Sequence, residues 1–452
     1  MLQFCIMVKV FPFAGLSYNK KKLKKFNKVI SPPYDVISPE EQAAYYKESD
    51  FNVVRLILGK EFPGDTEYNN RYVRAAAFMS GWLRHKILLL DDKPAFYVYE
   101  QRFSVGGKKY SRIGFIGIIR LEDMGKGKVY PHEETFPKAK LDRLQLMRAT
   151  NANLDCIFSL YSDKKGKIDK VFRDAMRRKP LIDTKDPTGA VNRVWRLDNK
   201  SAINRLTNEM KDKPVFIADG HHRYEAAIRF KEEMKIRNTK FTEDEAYNHV
   251  MMYFTPLEGK GLVILPIHRV VRPMEFFDPI RFEQDLGIYF EVTPYPAKKT
   301  TNTNVRRKLL KDLQKAGETK HAFALYLGNY RYYLLILRTE ELIDEMVEEE
   351  KPRAWKHLDV TILHYSVFDR LLGIGHETED KVIYVKDDAE AFDLVDKKQA
   401  AMAFIMNATK IEEIIAVASD MEKMPHKSTY FYPKLTSGLI MRRFEHGEKV
   451  KA

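Results

Sequence analysis

The sequence predicts an α/β protein made of more than one domain, and three observations predict it. The chain has 452 residues, more than one domain usually holds, and its 44% hydrophobic and 12% aromatic content supplies real cores. Apolar stretches of strand length alternate with stretches of helical period along the chain. The sharpest junction is "PVFIA" (Pro214–Ala218), which reads as a buried strand. It is followed by "HRYEAAIRFKEEM", which reads as a helix with Tyr224, Ala227 and Ile228 on one face. Composition divides the chain into an N-terminal α/β domain (residues 1–125), an α/β core (126–272) and a C-terminal α/β lobe (273–452).

In the first block the Pro-rich loop "SPPYDVISPEE" (Ser31–Glu41) leads into a helix with Ser38 as N-cap, Pro39 at N1 and Glu41 at N3. A helix near Asn69–His85 follows, then strands "AFYVYEQRF" and "RIGFIGIIRL" joined by the hairpin turn "VGGKKY". "EDMGKGKVYPHEETFPKAKLDR" (Glu122–Arg143) is rich in Gly, Pro and charge, reads as a loop and carries the first boundary. The core holds the strand–turn–helix, then strands near "HVMMYFTPL" and "LVILPIHRVV". In the last block "RFEQDLGIYFEVTPY" reads as helix then strand, and "HAFALYLGNYRYYLLIL" (His321–Leu337) as two strands about a Gly-Asn turn. "EELIDEMVEEEKPRAWKHL" reads as an acidic helix joining two lobes, and "DVTILHYSVFDRLLG" as a buried amphipathic helix. No internal repeat or low-complexity tract stands out, and the basic run Lys20–Lys28 reads as solvated surface.

The formal net charge of +14 favours anionic partners such as nucleotides, phosphorylated metabolites and nucleic acid, although a Lys-rich proteome produces the same balance. Two cysteines, Cys5 and Cys156, exclude a disulfide framework and a Cys-based zinc site, and fit a reducing cytoplasm. No segment reaches the ~18 apolar residues of a membrane span, so no membrane partner is expected. The opening "MLQFCIMVKVFPFAG" lacks the parts of a signal peptide, and Met7 is an alternative start.

"IADGHHRYEAA" (residues 217–227) carries the strongest chemical signal. A helix N-terminus has N–H groups without intrahelical partners and partial positive charge. Gly220 lets the backbone approach a bulky anion, and His221, His222 and Arg223 add donors around the same point, which suits phosphate. Asp219 is placed to hold Mg²⁺ or to orient an attacking hydroxyl. The alternative is a structural cap with satisfied core histidines. In "YPHEETF" (Tyr130–Phe136), His132, Glu133 and Glu134 supply a general base or metal ligand, or else only a surface loop. In "MPHKSTYFYPKL" (Met424–Leu435), Lys427, Ser428 and Thr429 form a compact donor set for phosphate or carboxylate oxygens, with Lys434 a further candidate, or else an ordinary turn entering a strand. There is no G-x-x-x-x-G-K-[ST], no H-E-x-x-H and no G-x-S-x-G, which excludes a P-loop protein, a zincin and a nucleophile-elbow hydrolase.

The run "DGHHR" opening a helix resembles the nucleotide-binding turn of the fold shared by sulfiredoxin and the chromosome-partitioning protein ParB, and within it the free L-serine kinase family. "YPHE" resembles that family's Pro-His-Glu segment, "HAFALYLGNYRYYLL" a later strand pair, and "MNATKIEEIIAVASDMEKMPHKST" the stretch ending in a Lys-Thr-Thr-type substrate loop. The resemblance covers roughly residues 126–452 and keeps the order of the motifs. "VFPFAGLSYN", "PPYDVIS" and "KSTYFYPKLTSGL" also resemble a bacterial family known only as a conserved domain of unknown function.

The kinase resemblance implies a ParB/sulfiredoxin-like core and a kinase that turns free L-serine into O-phospho-L-serine with ATP or ADP and Mg²⁺. Glu133 would be the base. Asp219 and His221 would join it in catalysis, Gly220, His221, His222 and Arg223 would bind the nucleotide phosphates, and Lys427, Ser428 and Thr429 would bind the substrate. The chain departs from the pattern at Tyr430-Phe431, where the kinases carry Arg-His, and Tyr34, Asp35 and Arg55 are candidates for replacement contacts. Two other readings stay open. One is a regulator that binds a nucleotide or phosphoserine without turnover. The other is a nucleotide-gated DNA-binding protein, which the charge favours and the lack of a helix-turn-helix pattern opposes. Sulfiredoxin-type repair needs a Cys where His221 stands. An oligomer is left open.

Overall fold

A computed structural model describes residues 8–123, 125–375 and 380–451, so Cys5 and Met7 lie outside the described residues. The fold is mixed α/β with several sheets, and the chain divides into two compact units. The first takes the chain up to Pro131, then Thr135–Leu262, and again from Pro433 onward, while the second holds His132–Glu134 and Val263–Tyr432.

A nine-stranded sheet organises the first unit. Its order is Val129–Tyr130, Val215–Asp219, Ile157–Tyr161, His249–Pro256, Lys108–Arg120, Phe96–Val105, Val191–Leu197 and Ile182–Lys185, with Val10–Phe11 added on Lys108–Arg120. Val215–Asp219 runs parallel to Val129–Tyr130, and His249–Pro256 parallel to Ile157–Tyr161. The central strands are apolar at nearly every position, as strands covered on both faces require: Ile157–Tyr161 is buried throughout. The core under them joins Phe96, Phe115, Phe172, Tyr224, Phe230 and Phe254, with Phe115 and Phe254 stacked at 4.8 Å between ring centroids.

This sheet runs across the boundary expected at residue 125. Lys108–Arg120 pairs with His249–Pro256 over His249↔Arg120 to Phe254↔Phe115, so residues 1–125 do not form a domain of their own. The reason is the length of the Phe96–Arg120 hairpin. Its two strands of 10 and 13 residues would leave a long apolar edge that needs a partner. The stretch expected to be loop also carries order: Val129–Tyr130 is a strand, and Pro137 opens the helix Pro137–Thr150.

The second unit has a six-stranded antiparallel sheet in the order Phe290–Pro296, Arg331–Leu337, Ala322–Tyr326, Met402–Met406, His268–Val271 and Val382–Val385. Helices Asn302–Gly317 and Asp388–Asp396 supply Leu309, Leu313, Phe392 and Val395 to its core. The acidic segment is not one helix joining lobes. It forms two short helices, Glu341–Met346 and Arg353–Lys356, inside this unit, with Pro352 before the second. "DVTILHYSVFDRLLG" begins as the α-helix Asp359–Leu363 and continues as a π-helix over His364–Asp369. The expected C-terminal lobe loses its last stretch, because the chain from Pro433 belongs to the first unit.

Candidate functional site

The strand Val215–Asp219 ends at Gly220, and the 17-residue helix His221–Arg237 begins there. Gly220 has φ +93°, a left-handed conformation that L side chains rarely adopt, and a Cβ there would lie 2.8 Å from Nε and Nη2 of Arg223. Gly220, the N-cap residue, has no side chain with which to cap the helix.

Arg223 does not point away from the turn. Its side chain is 11% exposed and folds back so that Nη2 donates to Asp219 Oδ2 at 2.7 Å and Nη1 donates to the Cys156 carbonyl. Burial pulls its pKa down, but Asp219, Asp155 and Asp35 outweigh that and hold the guanidinium charged. His221 is buried. His222 Nε2 accepts from the Phe136 N–H at 2.9 Å, which ties the start of the Pro137–Thr150 helix to this one.

The second cation on Asp219 comes from the far end of the chain. Lys434 Nζ donates to Asp219 Oδ1. The segment after Pro433 is strapped down: Gln101 Nε2 donates to the Lys434 carbonyl at 3.2 Å, and Thr436 Oγ1 reaches Asp186 and Asn192 at 3.2 Å each. The third cation is Arg112, buried, donating to Gln101 and to the Pro433 carbonyl and lying 4.6 Å over the Phe158 ring. Burial lowers its pKa, and Tyr253, Tyr99 and the Asp219 charge act against that. Sequence reasoning missed Arg112, and a lone Arg opening the apolar strand "RIGFIGIIRL" was the available signal. It named Lys434, but beside Lys427 rather than Asp219.

The other expected residues gather in the second unit. Glu133 bridges in parallel to Met424, whose N–H donates to the His132 carbonyl at 2.7 Å. His132 is buried, with Nε2 3.4 Å from Thr429 Oγ1. Lys427 is exposed with φ +56°. Ser428 is not a ready donor for a ligand, because its hydroxyl donates to the Pro425 carbonyl. Its own carbonyl accepts from Thr409 at 2.7 Å. Arg269, unforeseen from the sequence, is buried and donates to the Lys427 carbonyl at 2.9 Å, holding this loop. Tyr430 and Phe431 are strand residues paired with Leu265 and Ile264.

Of the replacement candidates, Asp35 and Tyr34 act electrostatically on Arg223, and Tyr34 lies under the Arg143 guanidinium at 3.7 Å. Arg55 instead pairs with Asp50 at 2.9 Å and with the Tyr46 carbonyl at 3.0 Å. Asp219 does not fit as a Mg²⁺ ligand, since both its oxygens are in ion pairs with cations. Among the described residues no group of three or more His, Cys, Asp or Glu side chains is arranged to hold a metal. No helix among them is long and apolar enough to cross a membrane.

Comparison with solved structures finds distant likenesses. One is a conserved hypothetical protein from Pyrococcus furiosus, at 14% identity over 68% of this chain and 89% of that one, with a TM-score of 0.30. Another is a free serine kinase in complex with AMP, at 14% identity over 67% and 83%, with a TM-score of 0.30. A third is SbnI from Staphylococcus aureus with a C-terminal truncation, at 11% identity over 69% and 82%, with a TM-score of 0.31. No curated protein matches the chain. One family model matches residues 10–361, and the chain thus belongs to DUF1015, a family described as of unknown function.

Proposed function

We propose that the protein is a nucleotide-dependent small-molecule kinase whose phosphates dock on the turn Gly220–Arg223. The observation that supports this best is a cluster of three cations at a helix start whose N-cap residue is a glycine. Arg112, Arg223 and Lys434 surround the carboxylate of Asp219 at the positive end of a 17-residue helix. That arrangement attracts a polyanion. Asp219 sets the geometry of the cations, and His221, two residues on, is buried. This reading uses the ParB/sulfiredoxin-like arrangement implied by the DGHHR motif.

In the proposed reaction a hydroxyl oxygen of the acceptor forms a bond to the terminal phosphorus of the nucleotide, and the bond from that phosphorus to the bridging oxygen breaks. The hydroxyl proton goes to the Glu133 carboxylate. With ATP the leaving nucleotide is ADP, and with ADP it is AMP. L-Serine is the proposed acceptor and O-phospho-L-serine the product, with Lys427 and Thr429 contacting substrate. Any Mg²⁺ would arrive on the nucleotide rather than on Asp219.

A second reading, a regulator that binds without turnover, is favoured by two observations. Ser428 is engaged by Pro425, and strand residues Tyr430-Phe431 stand in place of Arg-His.

Phosphorus NMR of the protein with L-serine, Mg²⁺ and either ATP or ADP tests both. The kinase gives a phosphoserine resonance that disappears in Glu133→Gln while nucleotide binding persists. Phosphoserine formed equally by Glu133→Gln removes Glu133 as the base. Nucleotide binding without phosphoserine from either donor selects the regulator.

A further inference from the structure

The second unit has a partly open cavity of about 330 Å³, within the usual range for a small-molecule site. Trp355, Tyr365, Phe368 and Tyr384 supply aromatic wall, and Arg269 lines it too. Arg269 is 5% exposed, yet its guanidinium meets only neutral acceptors: the carbonyls of Ile267 and Lys427 and, at 3.2 Å, Met406 Sδ. No carboxylate among the described residues accepts a hydrogen bond from it. Burial pulls it down to about 10, so it stays charged at neutral pH. A charge this deep is costly without a counter-charge.

Much of the polar lining is already engaged. Trp355 Nε1 donates to the Lys423 carbonyl at 2.8 Å, Thr361 to the Trp355 carbonyl at 2.9 Å, and Tyr365 to Glu349 at 2.8 Å. These bonds fix the wall, and the charge of Arg269 is opposed through space by Tyr384 and Asp359 rather than by a hydrogen-bonded carboxylate. Lys351, paired with Glu422 at 3.1 Å, and Lys423 also line it, with the exposed Glu134 and Glu349. The π-helix His364–Asp369 forms part of the wall, and such segments are frequent at functional sites.

We propose that this cavity binds a small planar organic anion, its carboxylate or phosphate paired with Arg269 and its body against the aromatic side chains. The site is independent of the nucleotide turn and stands whether or not the kinase reading does.

The test uses the full chain, titrated by calorimetry and ligand-observed NMR with benzoate, phenyl phosphate and the neutral benzyl alcohol. At least one anion is expected to bind about tenfold more tightly than benzyl alcohol, and the stronger anion tells carboxylate from phosphate recognition. Val360→Phe, which fills the cavity without altering Arg269, is expected to weaken that anion about tenfold, and Arg269→Gln to erase the preference for charge. Excess ATP is expected to leave the probe bound. Equal binding of all three probes, no binding at all, indifference to Val360→Phe, or displacement by ATP each overturns the proposal.

Discussion

At Gly220 one added methyl group would act on three residues. It would meet the Arg223 guanidinium at 2.8 Å, and Arg223 holds both Asp219 and the Cys156 carbonyl. The left-handed φ adds its own penalty. Gly220→Ala is therefore expected to cost about 1–3 kcal/mol in urea unfolding of the first unit and to weaken nucleotide binding about tenfold. A variant unchanged in both would remove the turn from the proposed site. Asp219 and Gly220 were legible in the sequence because a strand–helix junction leaves few places for such residues. The cations around them were not. Lys434 is 215 residues from Asp219 and Arg112 sits inside an apolar strand, so no local spacing links them. Ser428 shows the opposite limit: residue type marked it as a donor, but only the fold shows its hydroxyl committed to Pro425.

Between elements, His222 does work that the motif did not foretell. The helix Pro137–Thr150 has no side-chain cap of its own, and the His222 ring nitrogen accepts the N–H of its N-cap residue Phe136. Thr135 and Lys140 hold the same junction through Glu225, at 2.7 and 3.0 Å. Because Phe136 is partly exposed, water replaces some of a lost bond. His222→Ala should cost about 0.5–1.5 kcal/mol, and His222→Gln, which restores an acceptor, should recover part of it. Equal losses in both variants would assign the effect to ring packing instead.

Elements with local chemistry read true. The Ser38–Glu41 capping box forms, and Gly106 and Gly107 turn the long hairpin with positive φ. The π-helix was illegible for a physical reason. Val360, Ile362, Leu363, Tyr365, Val367 and Phe368 are all buried, so the segment lacks the one-sided pattern that fixes a 3.6-residue period. The boundary near residue 125 misled because a loop rich in Gly and Pro marks flexible composition, whereas strand pairing decides which stretches fold together.

Over the whole molecule, each unit carries a buried imidazole that is kept neutral. In the first unit His249 is pushed down to about 3 by burial and by the Arg442 charge, with Nδ1 3.0 Å from the Glu245 carbonyl. In the second, burial and then Arg269 push His268 down to about 4, and its Nδ1 accepts the Met406 N–H at 3.1 Å, a bond that protonation breaks. Unfolded, both return to about 6.5. Below that value the unfolded chain binds protons the folded chain does not, so each contribution is fully present above about pH 6.5 and is lost as pH falls toward the folded value. Between about pH 7.5 and 5.5 each histidine should remove about 1.4 kcal/mol from its own unit. The three tryptophans let the units be followed separately, since Trp82 and Trp195 belong to the first and Trp355 to the second. In a Trp82→Phe, Trp195→Phe background, urea unfolding of the second unit should shift to lower urea at the lower pH. His268→Asn keeps an acceptor for Met406 but does not titrate, and it should shrink that shift. An acid shift of full size in His268→Asn would place the sensitivity of the second unit elsewhere, on carboxylates that lose their partners rather than on an imidazole that gains a proton.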